Sequence, residues 1–230
     1  MAWEVGEAGG FMLREFQPGD ADAVRELFAE GMSEYGPALC THMLQQPWVM
    51  LTLTGTFLLL VATVHSLLLP ALVLALLLAA GHLVLSQVWA LYIRRCLSED
   101  LKDIGEAYAQ HRNARFWVAE AGGQVVGMVG ARPEEGHGPS GVLVLKRMVV
   151  RRDYRGRGVG RALGRAVLAF ACEQGCRAVV LVTHSLQREA RNLYLSLGFC
   201  PEAAQPLPTF YGRLADFMLT RYRYDLAPGD

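Results

Sequence analysis

Net charge is missing from this sequence: 22 Lys and Arg balance 22 Asp and Glu over 230 residues. Nonspecific binding to nucleic acid depends on a surplus of positive charge, so no nucleic-acid partner is expected and small-molecule chemistry stays open. A disulfide framework is missing too. The five cysteines, Cys40, Cys96, Cys172, Cys176 and Cys200, are odd in number and scattered, which suits reduced thiols. Cys172 and Cys176 stand at i, i+4 spacing, but no His or acidic pair beside them completes a zinc site, so no metal is expected. Charge of either sign vanishes between Glu34 and Arg94, a stretch without a single Asp, Glu, Lys or Arg.

The core of that stretch, residues 48–93, is almost wholly apolar. One membrane-spanning helix needs about 20 residues, so the run suffices for two short passes. His65, Ser66 and Pro70 interrupt it, which predicts two apolar arms, about 48–64 and 67–93, joined by a bend. A signal peptide is a poor fit, because the run starts far from Met1 and exceeds the apolar core of such a peptide. A buried soluble helix pair fits no better, since the rest of the chain is too small to cover so long an apolar surface. Trp48, Trp89 and Tyr92 fit an aromatic belt, and Arg94 and Arg95 mark the flank after the run as cytosolic.

The remaining residues suffice for one medium domain, read as alternating strands and helices. Residues 11–16 form a short strand, Pro18 and Gly19 a turn, and Asp20 a helix cap before the apolar face of Val24, Leu27, Phe28 and Met32. Ser98, Glu99 and Asp100 look like a second helix start. Strands at 116–119 and 125–129 flank the hairpin signal Gly122-Gly123, and a loop follows over 132–141. Next come a long strand at 142–150, a basic Gly-rich turn, a helix from Gly158 to about Gln174 and a strand at 178–183. A helix from about Gln187 to Leu197 stops at Gly198, and 217–226 is the final strand. The fold class is α/β with a mixed sheet.

The turn from Met148 to Arg161 is the most informative stretch. Glycines let backbone approach a ligand, a helix start offers unpaired N–H groups, and arginines add charge; together they favour a pyrophosphate. A dinucleotide fingerprint is excluded, because Gly156-Gly158 leads to Arg161 and Gly158-Gly160 leads to Leu163 where a third glycine belongs. A nucleotide-triphosphate loop is excluded by the missing Gly-Lys-Ser/Thr. A solvated basic turn, or an RNA-contacting patch of Arg151, Arg152, Arg155 and Arg157, is the competing reading of these residues alone.

Arg155-Gly156-Arg157-Gly158-Val159-Gly160 meets Gln/Arg-x-x-Gly-x-Gly/Ala, the signature of the GCN5-related N-acetyltransferase superfamily, which the chain resembles. Asn192 to Phe199 is similar to that superfamily's late helix, ending in Tyr-x-x-x-Gly-Phe at Tyr194, Gly198 and Phe199. Within the superfamily the chain resembles the membrane-anchored camello-type branch, which includes aspartate and cysteine-S-conjugate N-acetyltransferases. The resemblance rests on Arg14-Glu15-Phe16, Phe116-Trp117-Val118-Ala119, Val125-Val126-Gly127 and Arg221-Tyr222-Arg223-Tyr224. Arg147-Met148 and Ala162-Leu163-Gly164-Arg165 lean toward the aspartate enzyme.

The resemblance implies a mixed central sheet flanked by helices, with 11–46 as its first strand and helix, 48–93 as an inserted transmembrane or re-entrant hairpin, and 94–230 as the acetyl-coenzyme A-binding core. If 11–46 and 94–230 build one fold, both lie on one side of the bilayer and the number of crossings is even. Acetyl-coenzyme A is the implied co-substrate, a small amine the partner, and the endoplasmic reticulum the membrane, with the catalytic part on its cytosolic face.

Direct attack of a neutral amine on the thioester is the implied reaction. The resemblance assigns backbone groups of Met148, Val149 and Val150 to the acetyl and pantetheine end, one amide steadying the oxyanion. Residues 156–161, Gly156, Arg157, Gly158, Val159, Gly160 and Arg161, hold the pyrophosphate together with Arg155, and Tyr194 is the general acid. Gln187 stands where the superfamily often has a coenzyme-contacting Asn. A related pattern carries a carboxylate at the position of Val182, so water or a neighbour takes the amine's proton, with His184 the nearest titratable candidate. Lys146 and Arg147 on the central strand could meet a substrate carboxylate, but strand alternation lets only one face the cleft; Arg147 is the candidate. A membrane-proximal protein-lysine acetyltransferase and a non-catalytic acyl-coenzyme A sensor are the alternative functions.

Overall fold

A computed structural model describes residues 10–64, 66–109, 112–134, 141–206 and 217–226. Its frame is a mixed seven-stranded sheet in the order β1-β2-β3-β4-β5-β7-β6. The strands are β1 (Met12–Glu15), β2 (Arg115–Ala121), β3 (Gln124–Pro133), β4 (Val142–Val150), β5 (Ala178–His184), β6 (Cys200–Pro206) and β7 (Met218–Asp225). Neighbours are antiparallel except β4 and β5, which run parallel. Gly122 and Gly123, with φ of 57° and 75°, close the β2–β3 hairpin in the left-handed geometry that such a two-residue turn requires.

Side-chain alternation sends the sheet's apolar residues to both faces. Trp117, Ala119 and Val129 go to one face, under Val159, Leu163, Val167 and Phe170 of α6 (Val159–Glu173). Phe116, Val118 and Met128 go to the other, under Val24, Leu27, Phe28 and Met32 of α1 (Ala21–Ser33). Asp20 stands at the cap position of α1 but makes no capping hydrogen bond with its side chain. Its carboxylate instead takes two hydrogen bonds from Arg14, at 2.7 and 2.8 Å, and one from the Gln17 amide. A fixed cation offers that carboxylate more than the end of a helix does.

After α1 come α2 (Gly36–Leu44), α3 (Pro47–Val64) and α4 (Leu68–Ser98). The expected bend between two apolar arms falls between Val64 and Leu68, and His65 lies outside the described residues. Pro70 sits in the first turn of α4, where its missing N–H costs no helical bond. Both helices are long and apolar enough to cross a membrane; α3 buries no residue in this structure and α4 buries only Pro70 and Cys96.

No helix starts at Ser98, contrary to the sequence reading: α4 runs unbroken through Arg94 and Arg95 and ends there. At about 1.5 Å per residue α4 outreaches a hydrocarbon core of about 30 Å. Its last turns pack on the core beside the sheet, where Cys96 is buried and Trp89, Ile93 and Leu97 lie. The next helix, α5 (Ile104–Ala109), starts instead at Asp103, whose Oδ1 accepts the Glu106 amide at 2.9 Å.

Candidate active site

The site begins with a failure of pairing. β4 and β5 are matched only from Val142 with Ala178 to Val144 with Val180; beyond that the strands part. On its other side β4 carries a bulge, because Met128 faces Val149 and Gly130 faces Lys146, leaving Arg147 and Met148 opposite Val129 alone. A bulge bends the strand that carries it and turns it from its neighbour. Beside the unpaired end of β4 lies a cavity of about 520 Å3, walled by Met148, Val149 and Val150 of β4, by Met32 and Tyr35, and by Ala190, Leu193 and Tyr194 of α7 (Arg188–Ser196).

The phosphate-type turn forms the cavity's far end. Arg155, Gly156, Gly158, Val159, Gly160 and Arg161 all line it. Gly156 and Gly158 have φ of 75° and 87°, and Gly158 is the N-cap of α6, so no side chain covers the first-turn N–H groups. No acidic residue stands in that turn. Gly160 is a close-packing position: a Cβ there would lie 2.9 Å from Leu193 Cδ2. Arg157 does not line the cavity; its guanidinium rests 4.8 Å from the ring centroid of Tyr154, which does.

Of the expected site residues, Met148, Val149, Val150, Arg155, Gly156, Gly158, Val159, Gly160, Arg161, Gln187 and Tyr194 are brought together, and Arg157, His184 and Arg147 are not. Gln187 precedes α7 and accepts from the Thr183 hydroxyl at 2.6 Å. Tyr194 is buried, its ring edge-on to Phe199 at 5.9 Å. Burial pushes its phenol pKa up, so the proton is retained at neutral pH and available for donation.

His184 departs from its expected role. It ends β5 among the rings of Tyr35 at 5.5 Å, Trp89 at 6.1 Å and Phe217 at 5.1 Å, away from the cavity. Both ring nitrogens are buried, with no hydrogen-bond partner among the described residues. Burial pushes the imidazole pKa down to about 4, which makes it neutral and a weak base.

Arg147 departs too. Its guanidinium does not face the cavity but grips Asp100, with Nη2 to Oδ1 at 2.6 Å and Nε to the two oxygens at 3.0 and 3.1 Å. A cation held this way is not free to receive a substrate carboxylate. Arg155 is held more loosely: Nε donates to the Val150 carbonyl at 3.1 Å, and both terminal nitrogens donate to Glu34 at 2.8 and 3.1 Å.

Sequence reasoning missed the wall given by α1 and the residues just after it. Gly31, Met32 and Tyr35 line the cavity, and a Cβ on Gly31 would lie 2.5 Å from Val149 Cγ1. The available signal was a glycine inside a helix, which marks close approach when nothing else explains it. Trp89 of α4 steadies this wall by donating its indole N–H to the Met32 carbonyl at 2.9 Å.

Residues 85–199 match the family model described as Acetyltransferase (GNAT) family. The chain is 39% identical over 216 residues to mouse (Mus musculus) N-acetyltransferase 8F1, covering 93% of this chain and 96% of the relative. It is 39% identical over 218 residues to N-acetyltransferase 8 of Rattus norvegicus, covering 94% and 97%. With the probable N-acetyltransferase camello of Xenopus tropicalis it shares 36% over 214 residues, covering 93% and 97%. Among solved structures, a GCN5-related N-acetyltransferase from Kribbella flavida superposes with a TM-score of 0.57 at 17% identity, covering 94% of this chain and 98% of that one, a likeness of fold.

Proposed function

The chain belongs to the GNAT acetyltransferase family, as an acetyl-coenzyme A-dependent N-acetyltransferase similar over nearly its whole length to the N-acetyltransferase 8 and camello proteins, and on that premise we propose which of its residues do the work. The uncapped first turn of α6, with Arg155 and Arg161 beside it, takes the diphosphate of the co-substrate. Met148, Val149 and Val150 present backbone along the cavity where β4 no longer pairs with β5, and hold the pantetheine and acetyl end. The residues present fit such a group: a polar, cationic end, an apolar middle and a strand edge with spare hydrogen-bonding capacity.

Tyr194 donates a proton to the departing thiolate, a role supported by its place in the cavity wall and its retained phenolic proton. The base is no longer His184. The carboxylate lining the cavity among the described residues is Glu189, 3.9 Å from Arg155, and the amine's proton passes through water in the open cleft to that carboxylate. The acceptor is a small amino-acid-type amine, aspartate-like or a cysteine S-conjugate; with Arg147 committed to Asp100, one of the features that favoured an acidic acceptor is removed.

The units 11–46, 48–93 and 94–230 divide the work, with α3 and α4 as a hairpin in the bilayer of the endoplasmic reticulum and the catalytic part on its cytosolic face. The exposed apolar surface of both helices, the rings of Trp48 and Tyr92 and the pair Arg94-Arg95 support this, whereas Trp89 packs inward.

The observation that carries the reading is the parted β4–β5 pair ending at the uncapped α6, with Tyr194 in its wall. Thiol release from acetyl-coenzyme A tests it in purified full-length protein. Tyr194→Phe should bind acetyl-coenzyme A as wild type does by calorimetry while turnover falls about a hundredfold or more. Undiminished turnover discards the acid role, and a wild-type protein that binds but never turns over is the acyl-coenzyme A sensor instead.

A further inference from the structure

Arg147 is the only described non-glycine residue with a positive φ, at 56°. An L-residue with a long side chain avoids that region, and one persists there only when its surroundings over-determine it. The surroundings here are specific. Asp100 takes three hydrogen bonds from the guanidinium and a fourth from the Tyr108 hydroxyl at 2.9 Å. Phe28 of α1 offers its ring face to the same guanidinium at 5.3 Å. Tyr108 in turn needs Gly130, since a Cβ at that position would lie 2.7 Å from the phenolic oxygen. Gly130 and Arg147 flank the bulge on β3 and β4.

We infer that Arg147 is a positioning residue: held by Asp100, it keeps the β4 bulge in the shape that turns Met148, Val149 and Val150 into the cavity. The side chain itself touches no reacting atom, because it points away from the cavity into the cluster of Asp100, Tyr108 and Phe28. Asp100 follows the last residue of α4, Ser98, by two positions, so the clamp also ties the catalytic strand to the end of an apolar helix. Burial opposes charge on both partners, yet their mutual hydrogen bonds outweigh it: the Asp100 carboxyl lies below its ordinary range and Arg147 stays charged. The clamp therefore does not titrate near neutral pH.

The inference rests on the proposed place of the acetyl group beside Met148 to Val150, and its test separates the two. Full-length protein in detergent is compared as wild type, Arg147→Met, Arg147→Lys and Asp100→Asn, with kcat, KM and the calorimetric Kd for acetyl-coenzyme A measured for each. Misplacing the bulge should lower kcat of Arg147→Met about a hundredfold while Kd changes by no more than about threefold, since the diphosphate end is intact. Arg147→Lys keeps the charge without the two-pronged fit and should recover part of kcat. If Arg147→Met does not fold, Arg147→Lys and Asp100→Asn decide by the same split. A kcat within about twofold of wild type in a folded variant overturns the inference, and so does a Kd that weakens in step with kcat. Wild-type protein that binds no acetyl-coenzyme A sinks the reading of the site itself, whatever the variants do.

Discussion

Two arginines flank the cavity-lining end of β4 and are treated in opposite ways. Arg147 and Asp100 have side chains only 14% and 6% exposed, whereas Arg155 and Glu34 are 30% and 28% exposed. Each pair is two-pronged, with similar distances. Burial is the main difference between them. Water cannot replace Asp100 if it leaves Arg147, so that pair is structure; water or an incoming anion can replace Glu34, so Arg155 remains a usable charge. Proximity to a site thus says less about an arginine's role than the fate of its present partner does.

The sharpest way to break the comparison is to remove one carboxylate from each pair. Asp100→Asn should lower the unfolding free energy by about 3 kcal/mol, the cost of leaving a buried cation with only the more exposed Glu99, 3.6 Å away, as counter-charge, measured by denaturant titration in detergent. Replacing both partners, Arg147→Met with Asp100→Leu, should recover much of that loss, because no charge is then left stranded. A loss below about 1 kcal/mol for Asp100→Asn makes the two pairs equivalent and ends the distinction.

His184 extends the comparison to a buried polar group with no hydrogen-bond partner among the described residues. In the unfolded chain the imidazole titrates near 6.5 and in the folded chain near 4. Between those values the unfolded chain binds more protons, so stability is intact above pH 6.5 and falls as pH drops toward 4, by about 3 kcal/mol in full. His184→Phe should remove this share of the acid loss. At pH 7 it should also stabilise by about 1–2 kcal/mol, because two buried nitrogens that find no partner among the described residues disappear. An unchanged acid limb would mean that the ring is wetter in solution than its aromatic surroundings indicate.

Much of the frame was legible because it is written locally. The Gly122-Gly123 turn, the limits of β4, the glycine-headed α6 and the stop of α7 at Gly198 each follow from a few adjacent residues. β6 was missed for an equally local reason: Pro201 and Pro206 argue against a strand, yet β6 is the exposed edge of the sheet, where proline is tolerated. That Arg155, Gly156, Gly158, Val159, Gly160 and Arg161 gather at one end of the cavity was readable from a signature, but partners distant in sequence were not. Asp100 and Arg147 lie 47 positions apart, and the rings around His184 come from before α2, from α4 and from before β7. Each of those side chains has an unremarkable sequence neighbourhood, and only the fold decides what it meets.

The smallest expected effect is also the one that shows whether Arg155 is as exchangeable as its exposure suggests. Arg155→Ala should change stability by less than about 1 kcal/mol, since a half-exposed pair contributes little to the fold. Its KM for acetyl-coenzyme A should nonetheless rise about tenfold or more, the loss of one hydrogen bond from a charged group to the diphosphate. Glu34→Gln should act in the opposite direction, lowering that KM by about twofold to threefold, because the guanidinium no longer has to leave a carboxylate before it meets the ligand. If both substitutions raise KM, Glu34 is holding Arg155 in its working position rather than competing for it. The two arginines would then differ in burial and not in kind.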